Sequence, residues 1–216
     1  MTSLRYRYQT IEFGKTDIHL RTLRNNQEFH DPTGLAEKLG ISSASWPIFG
    51  VLWPSSLVLA HHLSEVNTED KRILEVGCGI GLSSLLLNKQ NADITATDYH
   101  PEVNGFLDHN CELNGDAPIK FHQADWAVEE DTLGHFDLII GSDLLYEDEH
   151  INLLAQFIND HCRPHCEVIL VDPGRGRKNK MCRAMVALGF ESHQEVPTDT
   201  SFLERPFKGH ILTFSR

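Results

Sequence analysis

The sequence predicts an α/β fold: a mostly parallel seven-stranded sheet with helices on both faces, extended at its N-terminus by a β-hairpin. Three observations predict it. From about residue 71 onward, apolar runs of strand length alternate with segments of helical periodicity, the pattern of linked βαβ units. Arg72-Ile73-Leu74-Glu75-Val76 runs directly into Gly77-Cys78-Gly79-Ile80-Gly81, the strand–turn–helix junction of a Rossmann-like domain. Ahead of it, Tyr6–Phe13 and Asp17–Leu23 alternate polar and apolar residues around Gly14-Lys15, the signature of a hairpin.

The elements follow in order. After the hairpin comes a loop carrying Trp46-Pro47-Ile48-Phe49-Gly50-Val51-Leu52-Trp53-Pro54, then a helix over about Ser55–Leu63. The parallel strands are expected at Arg72–Val76, Asp93–Thr97, Ile119–Gln123, Phe136–Gly141 and Glu167–Asp172. Helices are expected near Leu82–Gln90, Pro101–Asn114, Glu149–Cys162 and Asn179–Leu188. Pro101 suits a first helical turn, because its ring presets φ and its missing N–H is not needed there. Gly189 suits a helix stop. The tail, Phe190–Val196 and Gly209–Ser215, reads as an antiparallel pair at one sheet edge. The division that results is an N-terminal extension over residues 1–45, packed on a single domain over residues 46–216.

Composition narrows the function classes. The 216 residues are 40% hydrophobic and 23% charged, ordinary for a soluble domain with one sizeable core. No apolar run approaches the roughly 20 residues that span a bilayer, and the first residues lack the apolar stretch of a signal peptide. The five cysteines are odd in number and scattered, which fits reduced thiols and a cytoplasmic location. A net charge of −12 opposes nucleic-acid binding, where phosphate contacts dominate affinity. Arg175-Gly-Arg177-Lys178-Asn-Lys180 is the local exception, and it reads as a solvated loop and helix start.

In an open parallel sheet, ligands bind beyond the carboxyl ends of the strands. There the sequence places Gly77, Gly79 and Gly81, then Asp98, Asp125-Trp126, Ser142-Asp143 and Asp172-Pro173. A lone Asp at such a position also serves as a helix cap; several converging on one crevice suggest a site. The glycine spacing is G-x-G-x-G, one residue tighter than the dinucleotide fingerprint, and Glu75 precedes it. That acid repels a pyrophosphate but accepts a hydrogen bond from an ammonium group. The pattern favours S-adenosylmethionine over NAD. Asp98 is suited to a ribose, Asp125 to the adenine amine and Trp126 to stacking on the base; a buried core tryptophan is the competing reading of Trp126. Asp143 and Tyr146 lie three residues apart on the turn leaving the fourth parallel strand. A carboxylate there orients an amine nucleophile, and an aromatic ring lines its channel. The competing reading has Tyr146 packed beneath the loop and Asp143 capping the helix that follows.

The glycine motif, Asp98, Trp126 and Asp143-Leu-Leu-Tyr146 together resemble the seven-β-strand methyltransferase family sixteen, whose members carry D/E-x-x-Y after strand four. Leu52-Trp53-Pro54-Ser55-Ser56, Asn110-Cys-Glu-Leu-Asn114 and Val171-Asp172-Pro173-Gly174-Arg175 are most similar to the branch that includes the electron-transfer-flavoprotein β-subunit lysine methyltransferase. The resemblance covers roughly residues 46–190. It implies S-adenosylmethionine-dependent methylation of a protein lysine. Gly77, Gly79 and Gly81 would contact the methionine part of the cofactor, with Trp53 and Ser142 nearby, and Asp143 and Tyr146 would border the acceptor. Enzymes acting on planar amide or adenine nitrogens typically carry two prolines where this chain has Leu144-Leu145, which disfavours those acceptors. A small-molecule amine methyltransferase and a non-catalytic cofactor-binding module remain as alternatives.

His161-Cys162-Arg-Pro-His165-Cys166 has metal-ligating residue types but no second ligand pair at a zinc-site spacing, so no metal is expected. Cys78 reads as a small buried side chain within the glycine turn.

Overall fold

The computed structural model describes residues 4–25, 27, 29–128 and 132–216; positions 1–3, 26 and 28 of the expected extension lie outside the described residues. In chain order the elements are β1 (Tyr6–Phe13), β2 (Thr16–Leu23), α1 (Leu35–Lys38), a 3-10 turn (Ile48–Gly50) and α2 (Pro54–Leu63). Then come β3 (Arg72–Val76), α3 (Leu82–Lys89), β4 (Asp93–Asp98), α4 (Val103–Asn114), β5 (Lys120–Gln123) and β6 (Phe136–Ser142). The chain ends with α5 (His150–His161), β7 (Cys162–Asp172), α6 (Lys178–Ala187), β8 (Glu191–Glu195) and β9 (His210–Ser215).

Seven strands form one sheet in the order β5-β4-β3-β6-β7-β9-β8, and β1-β2 form a separate hairpin. β3, β4, β5, β6 and β7 run parallel, while β9 is antiparallel to both β7 and β8. The expected fold class is borne out. The chain builds outward from β3 to β5 and then returns to the other side of β3 with β6. The sheet therefore has its switch point between β3 and β6, where an open α/β sheet opens a crevice at its carboxyl edge.

Alternation along the strands sends side chains to two cores. Ile73, Ile94, Ala96, Leu138, Ile140 and Val171 face α2, α3, α4 and the hairpin. Leu74, Val76, Ile139, Val168 and Leu170 face α5 and α6. Burial on both faces is why these strands read as nearly continuous apolar runs.

Two boundaries differ from expectation by more than one residue. β7 starts at Cys162 rather than Glu167, and its register against β6 jumps between Phe136↔Cys162 and Leu138↔Glu167. Pro164 cannot donate to a ladder, and a bulge is where a strand tolerates it. Pro101 lies ahead of α4, in a turn closed by the Val103 N–H donating to the His100 carbonyl at 3.2 Å. That is the second position of a β-turn, which also suits a fixed φ.

The hairpin is fastened to α4 through its backbone. Asn110 accepts from the Arg21 N–H at 2.7 Å and donates to the Arg21 carbonyl at 3.3 Å. Asn114 repeats the arrangement at His19, with 2.8 Å in both directions. Two asparagine side chains thus occupy the outer edge of β2 as a neighbouring strand would. Arg21 meanwhile lies over the rings of Tyr6 and Phe106.

Asn110 is fully buried, so Asn110→Ala leaves the Arg21 backbone groups without a partner. A loss of about 1–3 kcal/mol is expected in a denaturant melt. Asn114→Ala, where the bonds to His19 are solvent-exposed, should lose less because water replaces them. Equal losses in the two variants would contradict this account of the hairpin seam.

Candidate active site

The turn after β3 is fixed by what surrounds it. Gly77, Gly79 and Gly81 all have positive φ, at 61°, 52° and 72°. A Cβ on Gly77 would stand 2.5 Å from Leu144 Cδ2, and one on Gly81 would stand 2.6 Å from Leu107 Cδ1. Only glycine meets both the backbone and the space requirement. The turn is stitched to β4 as well: the Cys78 N–H donates to the Thr97 carbonyl at 2.9 Å, and the Gly79 N–H donates to Asp98 Oδ2 at 2.8 Å. Asp98 Oδ1 accepts from the His100 N–H at 2.8 Å. Burial pushes the Asp98 carboxyl up from its ordinary value, opposed by those backbone donors. Cys78 is buried as expected, and burial raises its thiol further.

Glu75 is 2% exposed on β3. Its Oε2 accepts from the Ser84 N–H at 2.9 Å and from the Ser84 hydroxyl, so it anchors the first turn of α3. Burial, reinforced by Asp98 and opposed by the Ser84 bonds, pushes its carboxyl up to about 7. This contact with α3 was not anticipated from the sequence, which assigned Glu75 only to a ligand's ammonium.

The segment before α2 lies over the turn. The Phe49 carbonyl would be 3.1 Å from a Cβ on Gly79, and the Phe49 ring stacks on His100 at 4.0 Å. Trp53 is half-buried directly before α2, with its indole N–H donating to the Ile48 carbonyl at 3.0 Å. Its link to the turn runs through this segment.

At the end of β5, exposed Asp125 closes an Asx turn by accepting from the Ala127 N–H at 2.9 Å. Trp126 is half-buried; it packs on the α5 core and lies 3.9 Å from the Cβ position of Gly77. A cavity of about 630 Å³ opens beside it between the loop after β5 and α5, and another of about 420 Å³ lies among Phe29, His30, Trp46 and Pro47. Of the assigned residues only Trp126 lines either. The glycines, Asp98, Asp125, Ser142, Asp143 and Tyr146 lie instead at or just beyond the carboxyl ends of β3, β4, β5 and β6, with Glu75 buried within β3 and Trp53 directly before α2.

β6 ends at half-buried Ser142, and Asp143 follows with φ 57°. Its N–H donates to the Val171 carbonyl at 2.9 Å. Leu144 then drops between two glycines: a Cβ on Gly141 would be 2.7 Å from Leu144 Cδ1, matching the approach at Gly77. The wedge locks Asp143-Leu-Leu-Tyr146 against the glycine turn. Tyr146 is partly exposed, and partial burial together with Asp98, Glu147 and Asp143 pushes its phenol up. Asp98 at the end of β4 is thus among the charges that bear on Tyr146 beyond the end of β6.

Two residues that contact the assigned ones were not among the candidates the sequence offered for the site. His150, the first residue of α5, stands perpendicular to Trp126 at 6.2 Å and to Tyr146 at 6.3 Å, with its Nδ1 3.4 Å from Glu147 Oε2. Arg175 clasps Asp143, with Nε 2.9 Å from Oδ1 and Nη2 3.1 Å from Oδ2. The basic run is a mostly exposed loop and helix start, as expected, but its Arg175, Arg177 and Lys180 are paired. Arg177 pairs with Asp148 at 2.7 Å, and Lys180 bonds to the same carboxylate. Alternating opposite charge across two loops was the available signal. Beneath Arg175, Asp172 is 1% exposed; its Oδ2 accepts from the Gly174 N–H at 3.0 Å, while Oδ1 has no partner among the described residues. Among the described residues, no three metal-ligating side chains cluster; the His161 ring bonds to the Gly134 carbonyl instead.

The sequence pattern of the lysine methyltransferase family matches residues 39–184. The electron transfer flavoprotein beta subunit lysine methyltransferase of Xenopus laevis is 30% identical over 135 residues, covering 61% of this chain and 54% of that protein. Protein-lysine methyltransferase METTL21E of Bos taurus is 34% identical over 134 residues, covering 56% and 45%. The chain spans about half the length of the curated relatives it matches. Among solved structures, the T. thermophilus 16S rRNA N2 G1207 methyltransferase aligns with the whole chain and 51% of its own, with a TM-score of 0.65 at 15% identity. That likeness concerns the fold.

The carboxyl of Glu75 titrates higher in the folded protein than in the unfolded chain. Its contribution to stability is complete below about pH 4.5 and is lost as pH rises through about 7. Glu75→Gln abolishes that slope. Relative to the parent, the variant is expected to gain roughly 2–3 kcal/mol between about pH 5 and pH 8 in urea melts. A pH-independent difference would contradict the buried-carboxyl assignment.

Proposed function

The chain belongs to the lysine methyltransferase family, and from that premise we propose that it transfers a methyl group from S-adenosylmethionine to a lysine side chain of a protein. One observation carries the reading. Leu144 wedges against Gly77, so the acceptor motif and the cofactor turn share one rigid junction, as a direct transfer between them requires.

The residues present fit the cofactor. The glycine turn offers a cradle with no Cβ, the Asp98 carboxylate suits a ribose, and half-buried Trp126 offers an aromatic face at the turn. Gly77, Gly79 and Gly81 would hold the methionine part, with Glu75, Trp53 and Ser142 around it, and Asp125 would meet the adenine amine. When bound, S-adenosylmethionine supplies a methyl group on a positively charged sulfur, which keeps the carbon–sulfur electron pair as the acceptor nitrogen takes the carbon. The chain's own task is to deliver a neutral amine in line. Asp143 would accept a hydrogen bond from the nitrogen and fix its direction, while Tyr146 lines the approach. A positioned partner of this kind contributes about 10²–10⁴ in rate.

The same proposal takes residues 46–216 as the catalytic domain and residues 1–45 as an extension that packs on it. The substrate is a protein rather than a nucleic acid, in keeping with the net charge of −12. No described helix is long and apolar enough to cross a membrane, and the five free cysteines favour a cytoplasmic location.

Extract from a strain lacking the protein, incubated with it and labelled cofactor, is expected to yield a labelled protein band. Asp143→Ala should reduce that label at least about a hundredfold while S-adenosylhomocysteine binds unchanged by calorimetry. Asp98→Ala should weaken that binding about tenfold or more. Label confined to small molecules would overturn the lysine assignment, and full transfer by Asp143→Ala would overturn the role given to Asp143.

A further inference from the structure

The Asp143–Arg175 pair bears on a requirement of the chemistry that Asp143 alone does not meet. Methyl transfer needs the nitrogen lone pair, yet a lysine with a pKa near 10.4 arrives protonated at neutral pH. A bare carboxylate within about 4–6 Å favours the charged form still further. Asp143 standing alone would attract the ammonium and hold it in its unreactive state.

The structure does not leave it alone. The Asp143 side chain is 11% exposed, and Arg175 Nη2 also approaches its Oδ1 at 2.8 Å. Arg175 reaches it from the loop after β7, between Gly174 and Gly176, whose φ values are 96° and 84°. The other ionisable groups around Asp143 are mostly acids or neutral. Asp172, on the neighbouring strand, is pushed up by burial and by Asp143 itself, with His210 on β9 opposing. Tyr146 follows on the same turn, flanked by Asp98 and Glu147, with His150 beside Glu147. Arg177 and Lys180 are directed to Asp148. Among the described residues, Arg175 is thus the cation that bears directly on Asp143.

Resting on the lysine reading above, we propose that Arg175 is a positioning residue for the acceptor: it holds the Asp143 carboxylate in place and offsets its charge, so that the pair receives the nitrogen as a neutral amine. A carboxylate has about four lone-pair sites, so Asp143 keeps acceptor capacity for an amine N–H while clasped by Arg175. The proton released by the ammonium passes to solvent, and no other group changes charge. Removing Arg175 therefore has opposite effects on two quantities. The cationic acceptor binds more tightly, and its conversion to the nucleophile moves to higher pH.

The test uses the protein saturated with S-adenosylhomocysteine and n-butylamine as the probe, since it is the lysine side chain alone. At about pH 7, where the probe is cationic, Arg175→Gln is expected to bind it about tenfold more tightly than the parent. The gain should vanish in the Asp143→Asn/Arg175→Gln double variant. The pH profile of label transfer to the extract protein should move about one unit alkaline in Arg175→Gln, and Arg175→Lys should largely restore it. Unchanged probe affinity and an unchanged profile in Arg175→Gln, with S-adenosylhomocysteine affinity intact, would overturn the proposal while leaving Asp143 as the acceptor residue. Failure of n-butylamine to bind parent and variants alike would instead remove the acceptor site from Asp143, and this inference with it.

Discussion

Leu144 packed between Gly77 and Gly141 is the contact on which the site depends. It requires two strands, β3 and β6, to end side by side, and that happens only at the sheet's switch point. It also requires a backbone surface with no Cβ on either side, since a Cβ at either glycine would stand within 2.7 Å of the leucine. Interiors packed at crystal-like density do not absorb such an overlap without shifting. The wedge therefore turns two loops, which are ordinarily the most mobile parts of a fold, into one rigid junction. Phe49 presses on Gly79 and Leu107 on Gly81, so the turn is gripped from the second core as well.

Electrostatics set the second constraint. Glu75, Asp98, Asp143 and Asp172 crowd the carboxyl edge of four adjacent strands, and each is offset differently. Glu75 shares a proton-rich buried site with Ser84. Asp98 is held by backbone donors from the glycine turn and from His100. Asp143 has Arg175. Asp172, the most enclosed, has one backbone donor and shifts toward the neutral form. A crevice made this way has strong hydrogen-bond acceptors without the full repulsion of four bare carboxylates, an arrangement suited to a cationic cofactor and an amine.

Much of this was legible in the sequence, for reasons that differ by residue. β3 was placed without error because burial on both faces leaves an unbroken apolar run with a glycine turn to end it. Asp98, Ser142 and Asp143 were placed because strand ends locate them. β7 was expected only from Glu167, and the pairing with β6 shows that the strand begins at Cys162, with a bulge beside Pro164. The contacts of Arg175 and His150 lay outside the reading because they run across 32 residues to Asp143 and from α5 to Trp126. The asparagines of α4 were noticed as part of a resemblance, but their work at the hairpin edge depends on which helix face β2 meets. Local pattern encodes strands and turns; charge partners between loops are encoded by topology.

The backbone at Asp143 connects these threads. A non-glycine residue at φ 57° is uncommon, with Asp and Asn several-fold favoured over other types. Such a conformation persists where its surroundings over-determine it. Three restraints do so here: the N–H bonded to the Val171 carbonyl, the following leucine wedged between glycines, and the carboxylate clasped by Arg175. Strain of order 1–3 kcal/mol is thereby concentrated at Asp143, the residue proposed above to meet the acceptor. The left-handed residue turns the chain out of β6 at once, and Tyr146 follows three residues later, partly exposed beside His150. The D-x-x-Y segment then divides by geometry: one residue to leave the strand, two buried leucines to anchor the turn in the core, and a partly exposed tyrosine after them.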